Sequence, residues 1–213
     1  AVNSGHPGGS LGCVEFFVSL YFKIMSHNKE FNMDGLNEDI FFLSNGHISP
    51  VFYSVLARSG YFPTEELNTF RKINSRLQGH PATKEGLPGI RIASGSLGQA
   101  LSVALGAATT KKLNKDDKII YCLCGDGEMQ EGQVWEAIMY AGSKEIDNLI
   151  LTIDVNKQQI CGSTEDVMSL GNLNKKISAF NWDVIEIDNG NNIKSVCDGI
   201  MNAKSKTKNK KPV

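Results

Sequence analysis

The sequence predicts an α/β fold, a parallel sheet flanked by helices on both faces, and three observations carry that reading. Short apolar runs at 39–43, 118–124, 148–154 and 183–187 have the length and composition of buried strands. Between them lie longer segments whose apolar residues recur at three- and four-residue steps. Strands separated by helices form βαβ units, which pair in parallel and bury both sheet faces.

The elements follow in chain order. Leu11, Val14, Val18, Tyr21 and Met25 keep helical spacing behind Ser10, a residue type suited to an N-cap, so 11–26 is expected to be a helix. Residues 39–43 form the first strand. Helices are expected at 49–58 and 64–73, the second with Pro63 at its entrance and Glu65 and Glu66 in a first turn whose dipole favours acid. A third helix, 97–113, carries Gly98, Ala100, Ala104, Gly106, Ala107 and Ala108, small enough for close packing. Strands 118–124 and 148–154 bracket a helix at 131–144. A fourth strand, 183–187, precedes a last helix at 193–203.

At 213 residues the chain suits one domain with a sizeable core, 1–213. It begins at Ala1 without Met or a signal sequence and is expected to be truncated at both ends. Residues 204–213 read as a Lys-rich, solvated loop leading into a missing strand at Pro212. Hydrophobic residues make up 41% and charged residues 21%, which excludes a disordered chain. The 22 basic and 23 acidic side chains lack the positive excess that nucleic acid requires. No apolar run approaches the roughly 20 residues that span a bilayer, so no membrane partner is expected. Five scattered cysteines fit neither a disulfide framework nor a zinc site and point to a reducing, cytoplasmic compartment. Cys122 and Cys124 are expected in the core, and Cys161 is expected to be buried and inert.

Two loops hold the chemistry. Strand 118–124 runs into Gly125-Asp126-Gly127-Glu128 just before a helix, and strand 148–154 runs into Asp154-Val155-Asn156-Lys157-Gln158. In an open parallel sheet ligands gather beyond the carboxyl ends of strands, where a helix start offers N–H groups to an anion. Magnesium takes hard oxygens, one or two from protein side chains and the rest from phosphate and water, and Asp126 with Asn156 match that division. Taken singly, Asp-Gly and Asp-x-Asn are also ordinary turn formers.

Together the two loops resemble the thiamine-diphosphate motif. The strings Ser4-Gly-His-Pro-Gly-Gly-Ser-Leu-Gly12, Ser44-Asn-Gly-His-Ile-Ser-Pro-Val-Phe-Tyr53, Gly79-His-Pro81, Gly95-Ser-Leu-Gly-Gln99, Gly125-Asp-Gly-Glu-Met-Gln-Glu-Gly-Gln-Val-Trp-Glu-Ala137 and Asp154-Val-Asn-Lys-Gln-Gln-Ile160 stand in the order found in the N-terminal, diphosphate-side domain of the transketolase family. The resemblance spans essentially the whole chain. It departs from the family's common pattern at Ala100, Val155 and Cys161, none of them a proposed ligand.

The resemblance implies a thiamine-diphosphate-binding fold and a ketol-transferring activity. Asp126, Asn156 and the carbonyl of Gln158 would hold magnesium or calcium. Gly125 and Gly127 would lie by the diphosphate, Leu97 and Ile160 against the thiazolium, Gly95 by the aminopyrimidine, and Glu131 in a carboxylate network. Glu131 also reads simply as a helix-start acid. His6 and His80 would contact sugar hydroxyls, and His47 would lie near the diphosphate and reacting carbon, a role suited to imidazole near neutral pH. His27, outside any motif, is expected at the surface or capping a helix. A C-terminal domain or subunit would supply a pyrimidine-side glutamate and the substrate phosphate site, in a dimer of heterodimers acting on sugar phosphates. The alternatives are another thiamine-dependent ketose-cleaving enzyme, such as deoxyxylulose-phosphate synthase, or a non-catalytic assembly subunit.

Overall fold

The computed structural model describes residues 4–213; the opening Ala1, Val2 and Asn3 lie outside them. Three parallel strands form the central sheet in the order β1 (Ile40–Leu43), β2 (Ile120–Gly125), β3 (Leu149–Asp154). Side chains alternate across a strand, and the two faces bury different sets. Phe41, Leu43, Tyr121, Leu123 and Ile150 enter one core, while Ile40, Phe42, Ile120, Cys122, Cys124 and Leu149 enter the other. The first core is covered by α2 (Val14–Ser19), α3 (Ser49–Arg58) and α8 (Ile193–Lys206), with α1 (Pro7–Gly12) against α2 and α3; the second by α4 (Gln99–Leu113), α5 (Gly132–Ser143) and α7 (Leu173–Ala179). The short α6 (Thr164–Met168) follows a two-stranded hairpin of β4 (Gln158–Gln159) and β5 (Gly162–Ser163). Because β2 is central, its side chains are removed from water on both faces, each worth about 1.5–3 kcal/mol for a large apolar group.

The expected parallel sheet with helices on both faces is present, with differences in detail. The first helix starts at Pro7, where the missing N–H costs nothing, so Ser10 lies inside α1 rather than capping it. The backbone breaks at Cys13, resumes as α2 and widens into a π turn at Leu20–Ile24. The expected 64–73 helix is a 3₁₀ turn, Thr64–Thr69, with Ile73 left 93% exposed. The third helix starts at Gln99, and Glu131 is the extended N-cap of α5 rather than its first turn. α6 and α7 occupy a stretch where no element was expected.

Residues 183–187 are extended but unpaired as a strand. Asp183 N donates to Pro212 O at 2.9 Å, while Leu151 N donates to Val213 O and Val213 N to Leu149 O. A cleft of about 550 Å³ is lined by residues 150–155 on one side and 182–188 on the other. The lysine-rich segment also differs from a simple loop: α8 runs to Lys206, and the N–H groups of Lys208 and Lys210 bind Asp147.

Cys122 and Cys124 are buried as expected, but Cys161 is exposed, because it sits at the tip of the β4–β5 hairpin. His27 does cap a helix: its Nε2 donates to the Tyr21 carbonyl at 3.0 Å, leaving Nδ1 to accept from Tyr61 Oη at 2.9 Å. Among the described residues no helix is long and apolar enough to cross a membrane.

Candidate functional site

Four loops meet at the carboxyl edge of the sheet. After β1, Ser44 and Asn45 lead into a 3₁₀ turn at Gly46–Ile48. A Cβ on Gly46 would lie 2.6 Å from Ser94 Oγ and 2.7 Å from Gly95 N, so only glycine lets this turn rest on the 94–95 backbone. His47 leaves that turn toward His6, with ring centroids 4.8 Å apart. Burial, then His6 and His80, lower the His47 pKa to about 4, so its imidazole is neutral at physiological pH.

Gly95 joins this group to His80. At φ +115° it holds a conformation that side chains rarely adopt, and a Cβ there would sit 2.7 Å from the His80 ring. Behind His80, Arg71 closes the loop: its N–H donates to Leu77 O at 2.9 Å and its Nη1 to Ser4 Oγ at 2.6 Å. Partial burial, then the Arg71 guanidinium and His6, hold the His80 pKa below the usual imidazole value. Arg71 carries no motif label in the sequence; its only signal is a basic residue shortly before Gly79-His80.

The tips of β2 and β3 form the acidic side. Asp126 is buried, 3% exposed, and its Oδ1 accepts from Gly127 N at 2.9 Å. Its Oδ2 accepts from Lys157 N at 2.7 Å, which ties the β2 loop to the β3 loop. Asn156, at the surface, accepts from Gln158 N at 2.8 Å and donates to Asp154 Oδ2 at 3.2 Å. Burial, with a smaller push from Asp126, raises the Asp154 pKa. Gln158 opens the β4–β5 hairpin. Ile160, at its tip, is 90% exposed, and Leu97 is 37% exposed.

One acid went unnoticed in the sequence. Glu128, in the 3₁₀ turn Gly127–Gln130, is 2% exposed. Its Oε1 accepts from Gly98 N at 2.6 Å and from the Ser44 hydroxyl; its Oε2 accepts from Gly125 N at 3.2 Å. Burial raises its pKa, against the pull of these bonds. The only sequence signal is an acid directly after Gly-Asp-Gly at a strand tip. Glu131, by contrast, is exposed, with its Cβ packed at Gly98.

The residues fit the diphosphate and divalent ion that the motifs imply. Each Asp126 oxygen has spent one lone pair and keeps another. No cationic side chain lies within ion-pair distance of it among the described residues, and a buried carboxylate calls for a compensating cation. Two buried acceptors flank the glycines with no partner: Asn45 Oδ1, whose side chain packs at Gly125, and Gln159 Oε1, beside Gly127. Among the described residues no group of three or more His, Cys, Asp or Glu is placed to hold a metal ion. A carboxylate, a carboxamide and a main-chain carbonyl make a hard-oxygen set suited to magnesium or calcium.

Comparisons with known proteins name the same organic cofactor. The family model for the transketolase thiamine diphosphate binding domain matches residues 1–213. The chain is similar to an apulose-4-phosphate transketolase subunit of Actinobacillus succinogenes, at 40% identity over 91% of this chain and 69% of that one. It is also similar to the 6-deoxy-6-sulfo-D-fructose transketolase subunit SqwG of a Clostridium species, at 40% identity over 94% and 72%. Among solved structures, transketolase from Leishmania mexicana superposes with a TM-score of 0.89 at 32% identity, covering 98% of this chain and 32% of that chain.

Proposed function

Because this chain belongs to the transketolase family, as its thiamine diphosphate binding domain, we propose that it is the diphosphate-side half of a two-part enzyme that moves a two-carbon ketol unit from a ketose phosphate to an aldose phosphate. The observation that carries this reading is the bond from Lys157 N to Asp126 Oδ2, which joins the loops after β2 and β3 around a buried acid with no cationic side chain at ion-pair distance among the described residues. The similarity to two relatives named as transketolase subunits supports the two-part form; the chain spans about 70% of their length and about a third of a full-length transketolase.

In this reading Asp126, Asn156 and the Gln158 carbonyl hold magnesium, or calcium in its place. Gly125 and Gly127 present backbone to the diphosphate, Leu97 and Ile160 cover the thiazolium, and Gly95 meets the aminopyrimidine. When bound, thiamine diphosphate supplies the carbanion equivalent and electron sink for cleavage beside a ketose carbonyl. His47 is neutral and so can accept a proton or donate its single N–H near the diphosphate. His6 and His80 grip sugar hydroxyls, with His80 braced by Arg71 and Gly95. Glu131, exposed at the start of α5, faces the partner's carboxylates.

The partner is a C-terminal half that brings the pyrimidine-side glutamate and the site for the substrate's anion, in a dimer of heterodimers in the cytoplasm. Two relatives are named for ketoses bearing a phosphate or a sulfonate, and the proposed donor belongs to that anionic class. The test is ketol transfer by the co-purified halves with and without thiamine diphosphate and magnesium. Transfer that needs both additives and both halves is the expected result; turnover without thiamine diphosphate overturns the proposal.

A further inference from the structure

We propose that Glu128 is a positioning residue whose buried carboxylate fastens three loops, at Ser44, Gly98 and Gly125, and so fixes the spacing of His47, Gly95 and Asp126 around the cofactor. The inference deepens the reading above and rests on it.

The three donors come from positions far apart in the chain, and each lies within three residues of a proposed ligand. Ser44 precedes Asn45-Gly46-His47, Gly98 closes the loop begun by Gly95, and Gly125 precedes Asp126. Glu128 Oε1 takes both the Ser44 hydroxyl and Gly98 N, while Oε2 takes Gly125 N. Hydrogen bonds to a carboxylate are of the strong kind, and leaving a donor unpaired in the interior is costly. A carboxylate is the one side-chain group that offers only acceptors on both oxygens. Glutamine therefore fails at one branch, where its NH₂ would meet the N–H of Gly125 or the donors at Ser44 and Gly98.

A wholly structural acid could sit anywhere in the core. Glu128 instead lies where the site's loops meet: Gly46 rests on Ser94 and Gly95, and Gly98 rests on Glu131. No other described acid joins three of these loops.

The test uses the chain assembled with its C-terminal half. Amide exchange of the unmodified protein comes first: Gly98 N–H, at the mouth of a solvent-facing loop, is expected to be protected at least 100-fold, and exchange at an unstructured rate overturns the proposal. In Glu128→Gln, exchange at Gly98 and Gly125 is expected to quicken tenfold or more. The Kd for thiamine diphosphate in saturating magnesium is expected to rise at least tenfold, and the KM for the ketose to change less than threefold. Ser44→Ala, which keeps the charge and loses one donor, is expected to raise the same Kd two- to fivefold, and it stands in if Glu128→Gln does not fold. Unchanged Kd and exchange in these variants overturn the proposal. An unmodified assembly that does not bind thiamine diphosphate refutes the cofactor reading instead, and the amide exchange still decides whether Glu128 ties the loops.

Discussion

The rings of His6 and His47 lie 4.8 Å apart, centroid to centroid, tilted by 54°. Two imidazoles so close cannot both carry charge cheaply, and His47, the more enclosed of the two, stays neutral. The consequence for the site is one neutral imidazole with a single proton to give and a single lone pair to receive.

That relationship makes stability depend on pH. The folded pKa of His47 is depressed from 6.5 to about 4, so its contribution is fully present above pH 6.5 and is lost as pH falls from 6.5 to 4. The loss amounts to about 2–3 kcal/mol. His47→Gln should flatten the acid side of the melting-temperature profile across that window; a profile parallel to wild type would contradict the buried neutral imidazole.

Asp126→Asn keeps the shape and removes the charge. One of its two N–H donors, Gly127 or Lys157, would then face an NH₂ group, at a cost of about 1–3 kcal/mol. Calorimetry on the assembled halves should show magnesium-dependent thiamine diphosphate affinity falling by about 100-fold or more. Retention of wild-type affinity would remove Asp126 from the metal set.

Gly95→Ala tests the brace on His80. The new methyl would meet the His80 ring at 2.7 Å in a backbone conformation that costs about 1–3 kcal/mol for an L side chain. Displacement of the ring should slow ketol transfer on the order of tenfold or more. An unaffected rate would mean that His80 position does not matter to turnover.

Gly142→Ala tests the fold away from the site. A Cβ on Gly142 would come 1.8 Å from the Phe180 carbonyl oxygen, against backbone that cannot rotate away. Trp182 Nε1, bonded to Ile138 O at 2.9 Å, holds the same segment down. The expected loss is about 3 kcal/mol or more by urea unfolding. A shift under 1 kcal/mol, within about the range of a surface change, would show that 180–182 is loosely held.

Much of the architecture was legible because it is written locally. Ile120–Gly125 and Leu149–Asp154 are apolar runs of strand length, and α3 and α5 lie within a residue of their expected bounds. The loops after β2 and β3 were legible for the same reason, since Gly-Asp-Gly and Asp-Val-Asn are contiguous strings. Residues 183–187 carry no strand ladder among the described residues, where Asp183 N donates to Pro212 O. Residues 64–73 failed as a helix because the 3₁₀ turn ends at Phe70, whose ψ of 126° turns the chain away. Cys161 was misread because hairpin position, not residue type, decides its exposure.

Sequence alone determined the three paired strands and the helices α3, α4, α5 and α8 in their order, and the acid and amide that follow β2 and β3. Each of these rests on spacing over a few residues, where helix and strand periods act. Folding decided what lies across large separations: that Lys157 N completes the shell of Asp126, that His6 meets His47, and that Glu128 gathers donors from Ser44 and Gly98. Hydrogen bonds and burial depend on distance in space, and for residues tens of positions apart only the packed sheet and its helices set that distance.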